Sequence, residues 1–377
     1  MLIPQIGPLE PIQNQDHRII PGCLGNPYRF IHTKCPLSRK GSNRRKQAAK
    51  GSNRVGVRRG RSTRVDNFPL KTAARPRDNK RMHPELPYLN SLLVGVGRRV
   101  PRGVEKQIER GELIKVASRR FVRRKDMMAL RRYQRQILMT LAAAQSVNSS
   151  YLVGSSAARV LGMWTVDVAQ RITLATRSGG VPPRTKWPAG CVYRKEPPPE
   201  EVVQILGAAM VDPVSAWLQT ACAEGFRAGL VAADWLLANK HKRSELEKHL
   251  REVGMRKGIE HARRSLREAV DCSDAPGESY ARALLIEEGI GPLKPQAKVV
   301  PPYAIDLLVR GSVAVEIDGE LKYDEDPEEA IRQERRREKL ILNRGFQVVR
   351  CSSTQVFAQP RTFIADVRRA LERAQKA

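Results

Sequence analysis

Asp306, Glu316 and Asp318 are carboxylates at even positions within two runs whose odd positions, Tyr303, Ile305, Leu307, Val309, Val313, Val315 and Ile317, are all apolar. Side chains alternate across a strand, so the odd residues bury one face and the three acids share the other. The parity survives the turn between the runs. A three-residue loop, Arg310-Gly311-Ser312, pairs Val309 with Val313 and sets Asp306 opposite Glu316, whereas a two-residue loop would send them to opposite faces. Carboxylates that close cannot all ionise cheaply without a counter-cation, and a hard ion with oxygen ligands, Mg²⁺ or Mn²⁺, suits them. Such an ion activates water and stabilises charge developing on a phosphodiester. Lys322, four residues after Asp318, and Arg350 offer positive charge for the scissile phosphate. The same alternation also describes a solvated sheet face, and periodicity alone does not separate the two.

The elements that must position these residues follow from their spacing. Residues 278–288 repeat at helical period and stop at Gly289. Residues 296–300, 303–309 and 312–318 read as three strands. Asp326 followed by Pro and two acids opens a long helix closed by Gly345. Residues 346–351 form a fourth strand and 361–375 a last helix, giving the order αβββαβα.

With those elements in place, Glu278, Gln296, Tyr303-Ala-Ile-Asp306, Val315-Glu-Ile-Asp-Gly-Glu-Leu-Lys-Tyr323, Arg337-Glu-Lys-Leu340 and Gly345-Phe-Gln-Val-Val-Arg350 resemble the Vsr-like branch of the PD-(D/E)XK nuclease superfamily, the group of the very-short-patch repair endonucleases. The resemblance implies a restriction-endonuclease-like αβββαβ core. By it, Asp306 and Glu316 are metal-binding carboxylates, Glu278 and Gln296 assist, and Arg350 contacts phosphate. One position departs from the pattern. The superfamily's usual lysine two residues after the Glu is Asp318 here, so either Lys322 substitutes for it in space or the domain does not cut.

The upstream region has a different texture. Val104 and Ile108 fall at helical spacing before Gly111, and residues 113–116 and 121–123 flank Ser118-Arg-Arg as a small hairpin, which is the order of a winged helix. Arg98, Arg99, Arg102, Lys106 and Arg110 would put cations on or beside the recognition helix, where phosphate contacts position it in the major groove; a solvated cationic face has the same pattern. Residues 126–146 read as one helix and 151–164 as a tight helical turn. Residues 171–175 and 191–194 read as short strands, and 201–271 as mostly helical around Trp217, Leu218, Leu230 and Trp235. Asp212 and Asp234 read as helix caps. Gly111-Glu-Leu-Ile-Lys-Val, Arg120-Phe-Val and Ser155-Ser-Ala-Ala-Arg-Val-Leu-Gly162 resemble the N-terminal half of abortive-infection-type antitoxin regulators, which actinobacterial proteins join to a nuclease-like half. That resemblance implies a toxin or other protein as a second partner.

Charge supports a polyanion partner. Among 377 residues, 68 Lys and Arg against 39 Asp and Glu leave +29, the footprint of a DNA-binding protein. Residues 1–82 carry 19 of those cations against 4 acids and repeat Lys-Gly-Ser-Asn-Arg at 40–44 and 50–54. With no amphipathic period this segment reads as a disordered basic arm; alternatively the coding frame starts at Met82, where the texture changes. No apolar run approaches the ~18 residues of a membrane span and no signal peptide opens the chain, so a cytoplasmic protein with no membrane partner is expected. The six cysteines show neither disulfide-framework nor zinc spacing.

The expectation is therefore a multidomain chain of α+β and α/β class: a basic arm (1–82), a winged-helix-like and small α/β region (83–200), a helical middle (201–272) and a restriction-endonuclease-like domain (273–377). Its expected work is metal-dependent phosphodiester hydrolysis on DNA. The alternative is an antitoxin-type transcriptional regulator whose C-terminal domain binds without cutting.

Overall fold

Apolar alternation, glycine stops and proline starts recur along most of the chain. In a computed structural model they resolve into a mixed α/β architecture, described for residues 82–166, 171–199, 202–301, 303–319 and 327–376. The basic arm before Met82, Lys322 and Asp326 lie outside the described residues. Among these residues no helix is long and apolar enough to cross a membrane.

The first unit runs α1 (Leu86–Ser91), β1 (Val94–Gly95), α2 (Arg102–Glu109), β2 (Leu113–Ala117), β3 (Arg120–Arg123), α3 (Arg124–Ala129) and α4 (Arg132–Gln145). The helix and hairpin expected around Gly111 are present, and β1 adds a third strand in the order β1-β3-β2. The single helix expected over 126–146 is instead two. Leu130 is buried and extended, at ψ 142, and the Gln134 side chain accepts from the Arg131 backbone N–H at 2.7 Å, which restarts the helix after it.

A five-stranded sheet follows, ordered β6-β5-β4-β8-β7. It comprises β4 (Ser150–Leu152), α5 (Gly154–Val160), β5 (Ile172–Thr176), β6 (Cys191–Tyr193), β7 (Val203–Ile205) and β8 (Ala208–Met210). Two expectations are corrected here. Tyr151 and Leu152 belong to a buried strand rather than a helical turn, and the region after residue 201 begins with a hairpin that completes this sheet, so the sheet crosses the expected boundary at 200.

The middle helices are α6 (Pro213–Glu224), α7 (Phe226–Ala238), α8 (Arg243–Val253) and α9 (Ile259–Glu268). Asp212 caps α6, accepting from Val214 N at 2.9 Å and Ser215 N at 3.1 Å. Asp234 is no cap. It is fully buried within α7 and ion-paired to Arg282, 2.7 Å away on the helix that opens the next unit.

That unit holds α10 (Pro276–Glu287), β9 (Leu293–Val300), β10 (Tyr303–Val309), β11 (Val313–Asp318), α11 (Pro327–Asn343), β12 (Gln347–Ser352), α12 (Ser353–Ala358) and α13 (Pro360–Lys376). The sheet order is β12-β11-β10-β9, parallel only between β11 and β12. Apart from the short α12, the elements follow the order read from the sequence. Leu307, Val309, Val313, Val315 and Ile317 bury one face against α10 and α13, together with Ala228 and Val231 of α7. The even face is not wholly polar: Leu308 and Ala314 pack there with Ile305 under Ile341 of α11. Ile305 departs from the parity next to an irregularity in the ladder to β9, where three steps of β9 oppose two of β10 between Tyr303 and Ile305.

Candidate functional site

Whether Asp306 meets Glu316 depends on the turn between β10 and β11. Val309 pairs with Val313 and Leu307 with Val315, and the ladder ends there, one residue short of Asp306 and Glu316, whose carboxylates both approach Arg337. The loop is the three residues Arg310 to Ser312, with Arg310 at φ 49 and Gly311 at φ 70, a left-handed pair that glycine eases.

Beyond that point the two strands part. The Ile317 amide donates to Asp306 Oδ2 at 2.8 Å, and the Ala304 carbonyl accepts from Arg337 Nη2 at 2.8 Å. The same Nη2 donates to Glu316 Oε2 and stands 4.0 Å from Asp306 Oδ1. One guanidinium from α11 thus fills the opening between the strands, with its Cζ 5.9 Å from the Tyr303 ring centroid. Glu316 is 5% exposed, so its charge has little water to satisfy it and is met by protein groups, Arg337 among them.

Glu278 arrives from the first turn of α10, also buried. Its Oε2 accepts from the Asp274 amide at 3.1 Å and from Gln296 Nε2 at 2.9 Å. Gln296 holds φ 46, an uncommon backbone for a residue other than glycine, beside the shifted ladder. Burial first, and the Asp306 charge second, push the Glu278 carboxyl up to about 8 against those two hydrogen bonds. Gly277 makes this approach of α10 fit. A Cβ there would lie 2.3 Å from Ser353 Oγ and 2.9 Å from Ser353 Cβ.

Asp318, expected as a metal ligand, and Arg350, expected as a phosphate contact, are hydrogen-bonded to each other. Arg350 Nε and Nη2 reach the two Asp318 oxygens at 2.5 and 2.8 Å, a bidentate pair. The structure therefore brings Asp306, Glu316, Glu278 and Gln296 to one place and turns Asp318 toward Arg350 beside it. Cys351, next along β12, has its thiol pushed up to about 12, mainly by burial.

The donor set is of the right chemistry for Mg²⁺ or Mn²⁺, but its arrangement does not fit one while Arg337 is in place. The guanidinium already bridges the two facing carboxylates, and a dication beside it would meet a like charge. Among the described residues no group of three or more His, Cys, Asp or Glu is gathered as a metal-binding set. Arg337 opens the Arg337-Glu-Lys-Leu340 motif. Its signal was its position one helical turn before the buried Ile341, a charged residue in the inward stripe of α11.

Far along the chain, Arg98, Arg99, Arg102, Lys106 and Arg110 are all exposed, on and just before α2. Only Arg110 among them lines the groove beside the end of that helix, which it shares with Arg123, Arg124 and Lys125 against a single acid, Glu112. Arg124 Nε donates to the Gly111 carbonyl at 2.8 Å, which fixes that guanidinium at the rim. These three cations were missed because they sit at a strand-to-helix junction rather than on the helix face.

Comparison with family models, curated proteins and solved structures returns no match to this chain.

Proposed function

We propose that the chain is a DNA-binding regulator of antitoxin type, whose winged-helix-like N-terminal unit grips phosphate and whose C-terminal unit, restriction-endonuclease-like in the order of its elements, binds without cutting. The resemblance to Vsr-like proteins supports the fold of the second unit. The observation that carries the function is Arg337: its guanidinium bridges Glu316 and Asp306, the place a catalytic cation would take. The net charge of +29 and the exposed cations of α2 and its groove support DNA as the partner.

A second reading, metal-dependent phosphodiester hydrolysis, is favoured by Glu278. A carboxyl pushed up to about 8 is a proton donor at neutral pH, placed beside Asp306. In that reading Asp306 and Glu316 would hold Mg²⁺ or Mn²⁺, which supplies Lewis-acid activation of water, and Arg337 would have to leave.

The test is duplex binding by gel shift together with plasmid nicking in Mg²⁺ or Mn²⁺, comparing wild type with Asp306→Ala. We expect binding at low salt and no nicking by either protein. Nicking by wild type that Asp306→Ala abolishes would replace this function with the second reading, and absence of any duplex binding would end both.

A further inference from the structure

We propose that the arm joining β5 to β6 is a separate nucleic-acid site that takes an unpaired strand rather than a duplex. Trp187 and Tyr193 offer ring surface to an unstacked base, and the cations around them meet the phosphates. The inference goes beyond duplex binding by the α2 unit and does not rest on it.

From Arg171 to Lys195 the sequence carries six cations, at 171, 177, 184, 186, 194 and 195, and no Asp or Glu. Arg177, Arg184, Lys186 and Lys195 are exposed. The next acid, Glu196, is buried and turned inward, accepting from Arg256 Nη2 at 3.0 and 3.1 Å. The two aromatic residues sit among these cations. Both are half-buried, their ring centroids lie 5.8 Å apart at 50°, and Arg184 Cζ stands 5.6 Å from the Trp187 centroid. Tyr193 belongs to β6, the strand at one edge of its sheet.

The rings are held in place. Trp187 Nε1 donates to the Pro182 carbonyl at 2.8 Å, and the Tyr193 hydroxyl is 3.1 Å from Ser150 Oγ. Pro182, Pro183 and Pro188 fix φ on either side of the Arg184–Lys186 turn. A platform ordered in advance gives up little freedom on binding. A duplex keeps its bases stacked inside, so exposed ring surface adds little to its capture. The carboxylates of an acidic peptide have no π face to lay on an indole. An unpaired strand uses both halves of the patch, because every base presents a π face and every linkage a charge.

The experiment mixes the full chain with a labelled thymidylate oligomer of about 12 nucleotides at about 0.15 M salt, where binding by charge alone is weakened. Tryptophan fluorescence and the anisotropy of the label are read together. Of the four tryptophans, Trp164 and Trp217 are buried and Trp235 packs against both main cores, so Trp187 is the reporter. The strand should quench wild type. Trp187→Phe, which keeps a ring, should lose the quenching and bind within about threefold of wild type, whereas Trp187→Ala should bind about 5- to 100-fold more weakly with duplex affinity unchanged. Arg184→Ala/Lys186→Ala, at exposed positions, should lower the slope of single-strand affinity against salt by up to about 1.4. If Trp187→Ala does not fold, Trp187→Phe and the charge variant carry the test. Quenching that survives in Trp187→Phe, an unchanged salt slope, or equal loss of duplex and single-strand affinity in Trp187→Ala overturns the proposal. So does competition by polyglutamate as strong as by the oligomer, which would make the partner an acidic polypeptide. A uridylate oligomer of the same length is run beside the first: capture of either supports the proposal, and the tighter one identifies DNA or RNA as the source. Duplex affinity of the same proteins reports on the α2 unit, so the two readings fail separately.

Discussion

Replacing Glu278 by Gln should stabilise the protein at alkaline pH and do little at acid pH. Both hydrogen bonds to Glu278 go to one oxygen, Oε2, so an amide oxygen in that place keeps them. What the substitution removes is the cost of ionising a buried acid near Asp306. The carboxyl rises from its ordinary 4.5 to about 8 in the folded chain, and a tenfold change in proton affinity is worth about 1.4 kcal/mol, which makes the full cost on the order of 4–5 kcal/mol. The direction follows from the raised value. Stability from this group is fully present below the unfolded value of 4.5, falls as pH climbs toward 8, and levels off above it. Melting temperatures of wild type and Glu278→Gln measured at about pH 5, 7 and 9 should therefore diverge with pH, the variant standing several degrees above wild type at the top of the range. Curves that stay parallel, or a variant that falls below wild type at about pH 9, would refute the argument that Glu278 is held neutral by burial and by Asp306.

Asp234→Ala should cost roughly 3–5 kcal/mol in a denaturant titration, because it strands the buried Arg282 charge, while a double replacement of the pair by apolar residues should cost less. Neutralising Arg102, Lys106 and Arg110 together should lower the slope of duplex affinity against salt by up to about 3, read by fluorescence anisotropy; an unchanged slope would make that face a solvated one. Gly277→Ala should cost about 1–3 kcal/mol, since its Cβ meets Ser353, and relaxing the clash with Ser353→Ala should recover part of the loss in the same titration.

The β10–β11 hairpin was legible from the residues alone. Odd-numbered apolar positions on both sides of a three-residue loop leave one register, the one that pairs Val309 with Val313 and Leu307 with Val315. Residues 203–210 were harder to read, because Val-Gln-Ile-Leu-Gly-Ala-Ala-Met has no alternation and ends in residues that suit helices. Its turn, Leu206 at φ 48 and Gly207 at φ 78, lacks the Asn or Asp that usually marks one. The three-residue β4 was too short to show any period. Side-chain partners across non-neighbouring segments were least accessible of all. Parity places Asp318 with the other acids, but its pairing with Arg350 depends on the parallel register of β11 with β12, where Asp318 lies beside Ser352, and no local pattern encodes that. Asp234 looked like a cap because its partner, Arg282, lies 48 residues away.

The placement of that partner has a mechanical consequence. Arg282 and Glu278 are one turn apart on α10, so the helix that enters the carboxylate site is also the one riveted to α7 by a buried charge pair. Alanine and valine side chains of α7 share a core with the C-terminal sheet, and its other side chains belong to the core of the upstream sheet. Helix α10 therefore holds Glu278 in a frame set partly by α7, so loosening the Asp234–Arg282 pair should disturb the carboxylates as well as the middle helices.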